Sequence, residues 1–190
     1  MRSLLREVFQ TFILALVIFL SLRLSIQTYR AQGPSMQPTL VEGEYVMVNK
    51  FVYARVQTHL LSWLIPTIEA SQGETMFPLH APTRGEVIIF KFPEDPSRDF
   101  VKRVIGVPGD TIEVKRGTVY VNGVKLDEPY IVEPDSTDMA PMFVTPDHYF
   151  VMGDNRRASN DSRDWGLVPA DLIIGRAWFV FWPLDKLISF

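Results

Sequence analysis

The sequence predicts a mainly β domain, an antiparallel sheet or barrel-like fold, behind one N-terminal transmembrane helix. An apolar run begins at Val8 and continues to Ile26, and beyond residue 40 short β-rich runs separated by turn residues replace the helical period. No alternation of strands with helices is visible, which favours antiparallel pairing. We therefore expect a membrane anchor with a short cytoplasmic tip over residues 1–30 and a β domain over residues 31–190.

The apolar run is long enough for a membrane helix. From Val8 to Ile26 it would rise about 28 Å, close to the thickness of the hydrocarbon layer. A cleavable export signal is the alternative interpretation. The only small-x-small candidate after the run, Ala31-Gln32-Gly33, precedes Pro34, and cleavage at that imide bond is disfavoured. Arginines flank both ends of the run, so charge does not fix its orientation.

The β domain is predicted from runs rich in β-branched and aromatic residues. Hairpin turns are indicated by Arg116-Gly117 and Asn122-Gly123. The predicted strands are Tyr45 to Val48, Val87 to Phe92, Phe100 to Val107, Thr111 to Lys115, Thr118 to Val121, Tyr149 to Met152 and Ala177 to Phe181. Residues 57–82 interrupt this pattern with a Leu- and Trp-rich stretch followed by polar residues. Two interpretations stay open for that loop: packing on the domain, or insertion into the membrane interface.

Composition limits the possible functions. The 190 residues are 47% hydrophobic and 22% charged with a net charge of −3, so a packed core is feasible and a nucleic-acid partner is not expected. Cysteine is absent, which excludes disulfides, thiolate metal sites and a cysteine nucleophile. No metal-binding or cofactor-binding motif occurs, so we expect neither a metal nor a cofactor.

Ser35 is a candidate nucleophile. It follows Pro34 and lies just beyond the apolar run, and the flanking prolines predict a stiff, extended backbone that presents the hydroxyl. The alternative is an ordinary turn residue. None of the three histidines, His59, His80 and His148, lies in a recognisable triad motif, and no Gly-x-Ser-x-Gly sequence occurs.

Lys102 is the candidate base. In the strand from Phe100 to Val107, alternation places Lys102 on the same face as Phe100 and Val104, although Arg103 shows that alternation alone does not say which face is buried. On an apolar face an amine loses hydration and its pKa falls, so the neutral form can accept a serine proton. The alternative is a lysine that reaches solvent.

A polar loop from Gly153 to Gly166 is dense in Asp, Asn, Arg and Ser. Asp and Arg side chains pair through charge-assisted hydrogen bonds and would fix the shape of such a loop. The alternative is a plain surface loop.

Together, in this order, these segments resemble the type I signal peptidase family. The resemblance rests on Gly33 to Leu40, Arg84 to Val87, Lys102 to Asp110 and Gly153 to Gly166, and it covers residues from about 8 to 183. It implies a membrane-bound serine endopeptidase that removes signal peptides from exported preproteins. The catalytic domain would lie on the extracytoplasmic face of the cell membrane, with lipid and preproteins as its partners.

The resemblance also implies the site residues. Ser35 and Lys102 inherit the roles of nucleophile and general base, Ser159 is expected to hydrogen-bond the base, and Asp161 and Arg163 match a structural ion pair. The substrate is expected to bind as an added strand, with small residues at the cut, typically Ala-x-Ala.

Residue 33 departs from part of the family. Some members carry a serine two positions before the nucleophile, where its hydroxyl helps to hold the oxyanion; here the position is Gly33. The oxyanion hole is therefore expected at Ser35 and Gly33, with the Ser35 N–H as one donor and a second donor unidentified.

Two other functions are weighed. A self-cleaving repressor-type Ser–Lys protease would carry a DNA-binding domain where this chain has an apolar segment. A membrane-tethered β domain that binds peptides without cleaving them would not require Ser35, Lys102 and the polar loop together.

Overall fold

The computed structural model describes residues 2–53, 56–57, 75–76 and 80–190. The loop predicted over residues 57–82 lies almost entirely outside these residues. The helices are α1 (Arg2–Ser25) and the single-turn α2 (Ser162–Trp165). The strands are β1 (Ile26–Arg30), β2 (Tyr45–Asn49), β3 (Val56–Gln57), β4 (Thr75–Met76), β5 (Val87–Phe92), β6 (Asp95–Gly106), β7 (Thr111–Lys115), β8 (Thr118–Val121), β9 (Val124–Lys125), β10 (Met139–Phe143), β11 (His148–Met152), β12 (Val168–Pro169), β13 (Ile173–Trp182) and β14 (Ile188–Ser189).

Helix α1 carries large apolar side chains that are exposed along its length, from Val8 to Leu20. Within the described residues, no helix combines the length and the hydropathy that a membrane span requires. The helix ends at Ser25 and the chain continues directly into β1, which pairs antiparallel with β2. Helix α1 therefore ends five residues before the predicted boundary at residue 30. The backbone groups of Ile26–Arg30 form hydrogen bonds with β2 instead of continuing the helix.

Antiparallel pairing organises the described strands, which confirms the mainly β prediction. An eight-stranded sheet has the order β1-β2-β13-β5-β6-β11-β12, with β14 added beside β13. A second sheet has the order β10-β7-β8-β9, and β3 pairs with β4. Strands β1 and β12 end the path of the large sheet, so among the described strands it is open rather than a closed barrel.

The small sheet is built from the predicted hairpins. Strands β7 and β8 have the predicted bounds, and Arg116, Gly117, Asn122 and Gly123 all have positive φ. Two consecutive residues with positive φ give the primed turn that matches the twist of paired strands. The sequence missed β1, β10 and the first part of β6, which are largely exposed, and the two-residue strands β3, β4, β12 and β14.

Buried apolar residues form three clusters, and two of them meet at the candidate site. One joins Met36 and Leu40, from the segment after Ser35, to β2, β5 and β13. Another lies under β5, β6 and β11 and includes Phe90, Val104 and Val151. Strand β6 is thus covered on both faces, which brings polar side chains of that strand into the interior.

Candidate active site

Ser35 lies in a chain of turns rather than in the extended segment that the sequence predicts. The N–H of Gln37 donates to the Pro34 carbonyl at 3.0 Å, and the N–H of Leu40 donates to the Met36 carbonyl at 2.9 Å. Met36 and Leu40 are both buried, and the chain must fold back to bury both. Ser35 itself is half-buried at the tip of this turn.

The loop after β11 holds the backbone of Ser35. The N–H of Asn155 donates to the Ser35 carbonyl at 3.0 Å. Gly153 packs so closely here that a Cβ atom on it would overlap the Ser35 carbonyl oxygen and would lie 2.6 Å from Ser159 Cβ. No sequence pattern indicates these contacts, because they depend on backbone atoms of residues far apart in the chain.

Lys102 reaches the same point from β6. Its Nζ lies 3.0 Å from Ser35 Oγ and 3.1 Å from the Val101 carbonyl oxygen, and the residue is only 4% exposed. Burial lowers the pKa of Lys102 from 10.5 to about 8, while the carboxylates of Asp161 and Asp154 oppose that shift. The Phe100 ring centroid lies 5.2 Å from the amine. Lys102 is thus a desolvated amine within hydrogen-bond distance of a hydroxyl.

Arg103, the next residue, is also buried, so at these positions the two faces of β6 are both buried. Its guanidinium donates to both carboxylate oxygens of Asp154, at 2.8 and 2.6 Å, and to the Gly85 carbonyl at 2.7 Å. It also lies 4.0 Å from the centroid of the Tyr130 ring. Burial of this arginine is compensated by a bidentate ion pair and further hydrogen bonds.

The polar loop is ordered by Asp161 and Arg163. Asp161 is fully buried and accepts from Arg163 Nε at 2.8 Å, from Arg163 Nη2 at 2.9 Å and from the Gly153 N–H at 3.0 Å. It also caps α2 in a reciprocal capping box with Asp164. Arg163 further pairs with Asp135. The two residues of the expected ion pair therefore connect the loop to Gly153, beside Ser35.

The hydrogen bond expected from Ser159 to Lys102 is absent, and that expectation is corrected. Ser159 Oγ is buried and has no hydrogen-bond partner among the described residues. It points toward the Cα of Gly153, while Lys102 Nζ is occupied by Ser35 Oγ and the Val101 carbonyl.

Gly33 has a φ of 75°, and the space where a Cβ atom would lie is open. Any other residue would be strained in this conformation, so the glycine suits the backbone that leads into Ser35. The Ser35 N–H has no acceptor among the described residues.

A groove of about 360 Å³ is lined in part by Val101, the residue before Lys102. Its walls come from β1 and the residues after it and from β6, with Tyr29 and Asp99 among the lining residues. Burial and the Asp99 carboxylate raise the pKa of Tyr29 to about 12. The groove is lined by Thr28, Tyr29, Arg30, Ala31, Gln32, Leu40, Val46, Ile89, Asp99, Phe100 and Val101.

The described histidines are engaged elsewhere. His80 Nε2 lies 3.0 Å from Glu86 Oε1, and His148 Nδ1 lies 2.8 Å from the Pro146 carbonyl oxygen. His59 lies outside the described residues. Among the described residues there is no cluster of His, Asp and Glu suited to a metal ion.

Comparison with known proteins gives consistent matches. A family profile described as signal peptidase, peptidase S26, matches residues 4–182. A probable signal peptidase I-2 from Synechocystis is 34% identical over 187 residues, covering 95% of this chain and 74% of the relative. A signal peptidase I from Pseudomonas aeruginosa is 32% identical over 226 aligned residues, covering 97% and 75%. A crystal structure of a signal peptidase I from Enterococcus faecalis is similar at a TM-score of 0.47 and 33% identity, covering 51% of this chain and 97% of that one.

Proposed function

This chain belongs to the signal peptidase S26 family of serine peptidases, and from that premise we propose that it removes N-terminal signal peptides from exported preproteins with Ser35 as nucleophile and Lys102 as general base. One observation carries the assignment of the two residues. Lys102 Nζ, on a side chain buried from water, lies 3.0 Å from Ser35 Oγ. Family membership makes a non-catalytic peptide-binding domain untenable.

The lowered pKa of Lys102 makes the amine usable as a base. With a pKa of about 8, about a tenth of the lysine is neutral at pH 7, against less than a thousandth for an ordinary lysine. The neutral amine accepts the Ser35 proton as Oγ attacks the scissile carbonyl. The resulting ammonium then protonates the leaving amine, and an acyl-enzyme on Ser35 remains. Water, deprotonated by Lys102, hydrolyses that ester and releases the signal peptide.

The oxyanion of the tetrahedral intermediate needs hydrogen-bond donors. The Ser35 N–H supplies one, since it has no acceptor in the described part of the chain. Gly33 provides the backbone shape for this turn rather than a side-chain donor. Removing one oxyanion donor costs about 3 kcal/mol in well-studied proteases, so this N–H is a large contributor.

The substrate lies extended in the groove between β1 and β6. Strand β1 is an edge of the large sheet, so its outer backbone groups are available to an added strand. Ala31 and Val101, near the end of the groove, lie close in sequence to Ser35 and Lys102. An extended chain in this groove brings its scissile bond to Ser35 and places small side chains among apolar walls.

Asp161 and Arg163 position the reacting groups without touching the substrate. Their ion pair holds the Gly153 N–H, and Gly153 lies directly against the Ser35 backbone. The Asp161 carboxylate also raises the pKa of Lys102, which opposes the effect of burial. The loop therefore sets both the position of Ser35 and the basicity of Lys102.

Helix α1 anchors the enzyme in the membrane, with the β domain, which begins at Ile26, on the extracytoplasmic face. The support is the large apolar side chains exposed from Val8 to Leu20, which water solvates poorly. The anchor keeps Ser35 within about 35 Å of the end of α1, because the ten residues from Ser25 to Ser35 reach no further. Signal peptides end at a similar height, so anchoring concentrates enzyme and scissile bond in one layer.

Replacing Ser35 by alanine tests the proposal. In detergent, the purified full-length S35A variant is expected to leave a preprotein uncleaved while unfolding at the same temperature as the parent. Ser97→Ala is the matched control, because Ser97 is exposed near the start of β6 and its side chain bonds only to Asp95 among the described residues. Cleavage by S35A at the parental rate would reject Ser35 as the nucleophile.

A further inference from the structure

A second groove, of about 300 Å³, adjoins the turn that carries Ser35. Its walls come from the turn that follows the nucleophile, from the loop that bonds the Ser35 carbonyl, and from the segment before β10. The lining residues are Gln37, Pro38, Val132, Glu133, Asp154 and Asn155. The proposed function gives this groove no role.

The two grooves are lined by different segments that flank Ser35 in the chain. The first includes Gln32, three residues before Ser35, and Val101, the neighbour of Lys102. The second begins at Gln37, two residues after Ser35, and includes Asn155, whose N–H holds the Ser35 carbonyl. The second groove therefore adjoins Ser35 through Gln37 and Asn155, where a polypeptide that extends past Ser35 from the first groove can enter it.

The second groove offers unengaged amide groups in its lining. The side-chain amides of Gln37 and Asn155 have no partner among the described residues, so they are available to peptide groups. Pro38 and Val132 supply the apolar part of the lining, and Val132 is 71% exposed. Such a lining suits the polar, variable start of an exported protein better than a signal peptide.

The two carboxylates that line the groove differ in how far their charge is neutralised. The Asp154 carboxylate is neutralised by Arg103 at 2.6 Å. Glu133 is different: its only ion-pair partner in the described chain is Arg157 at 3.7 Å, and both side chains are largely exposed. An exposed pair at that distance neutralises little of the carboxylate's field.

We propose that this second groove binds the first residues of the mature protein, those just after the cut, and that Glu133 makes it favour basic over acidic residues there. The inference rests on the proposed function and extends it to the leaving side of the scissile bond. Glu133 is a specificity residue in this proposal and takes no part in the proton transfers.

Synthetic peptides test it with the full-length enzyme in detergent. Two peptides share one sequence through the cut and differ only in carrying lysine or glutamate at the second and third residues after it. We expect kcat/KM to be about threefold to fivefold higher for the lysine peptide, the range of a partly exposed ion pair. In Glu133→Lys the ratio should fall to one or reverse, and in Glu133→Gln it should be intermediate.

Glu94→Lys is the matched control, because it makes the same charge change at an exposed position between β5 and β6, outside the groove lining. It should keep the parental ratio. An unchanged ratio in Glu133→Lys, or an equal change in Glu94→Lys, would overturn the inference.

A third peptide that ends one residue after the cut separates the two proposals. If the parent cleaves it and S35A does not, the proposed function stands whatever the ratios are. If the parent cleaves none of the three peptides, the proposed function fails first and the inference with it.

Discussion

The backbone of Gly153 lies against the backbone of Ser35, so closely that any side chain at residue 153 would overlap the Ser35 carbonyl oxygen. In the same loop, the Asn155 N–H donates to that carbonyl, and the Gly153 N–H donates to the buried Asp161 carboxylate. The position of the serine hydroxyl thus depends on Gly153, because only a residue without a Cβ atom fits against the Ser35 backbone.

Gly153→Ala is therefore expected to reduce kcat/KM about a hundredfold, because a displacement of about 1 Å at a nucleophile has that effect. Steady-state cleavage of a preprotein in detergent measures it. The control is Gly123→Ala in the β8–β9 turn, where φ is positive but the surrounding space is open. That variant should lose about 1 kcal/mol of stability and keep its activity. Parental activity in Gly153→Ala would show that Ser35 tolerates the shift.

The lowered pKa of Lys102 predicts the direction of the pH dependence. Because the neutral amine is the base, kcat/KM should rise with pH in proportion to the deprotonated fraction and level off above about pH 8. Below that value the rate should fall tenfold per pH unit. An ordinary lysine would give a rise that continues toward pH 10.5. A profile that is flat between pH 6 and 9 would contradict a lysine base, and Lys102→Arg should abolish cleavage at every pH.

Asp161 links stability to the basicity of Lys102. Asp161→Asn removes one of the two carboxylates that pair with the buried Arg163, so we expect a loss of about 3 kcal/mol in the free energy of unfolding. The same change removes a negative charge that raises the pKa of Lys102, so the rising limb of kcat/KM should move to lower pH. Denaturant titration and the pH profile measure the two effects. Asp171→Asn, at an exposed position, is the control and should change neither.

Two serines of the polar loop differ in what their hydroxyls do. Ser162 Oγ accepts from the buried Val151 N–H at 2.9 Å, while Ser159 Oγ is buried with no partner in the described chain. Ser162→Ala should therefore cost about 1 to 3 kcal/mol, and Ser159→Ala should leave stability unchanged or raise it slightly. Thermal unfolding distinguishes them. A Ser159→Ala variant less stable than Ser162→Ala would mean that the Ser159 hydroxyl has a partner after all.

The sequence predicted the longer central strands because their signals are local. The β-rich runs of β5, β7 and β8 and the turns at Gly117 and Gly123 depend only on neighbouring residues, and these elements have the predicted bounds. Strand β1 was assigned to the preceding segment because its five residues alternate weakly and become a strand only by pairing with β2. The polar start of β6 was missed for the same reason.

By itself the sequence determined the family, the mainly β fold and the identities of Ser35 and Lys102 as candidates, since motif order and residue chemistry are properties of the chain. Only the tertiary structure decided that their side chains lie 3.0 Å apart across 67 positions of sequence, that Lys102 and Arg103 are both buried, and that Ser159 faces Gly153 instead of the amine. The physical reason is that desolvation and distance arise from packing between strands, and no residue carries information about its neighbours across a sheet until the sheet has formed.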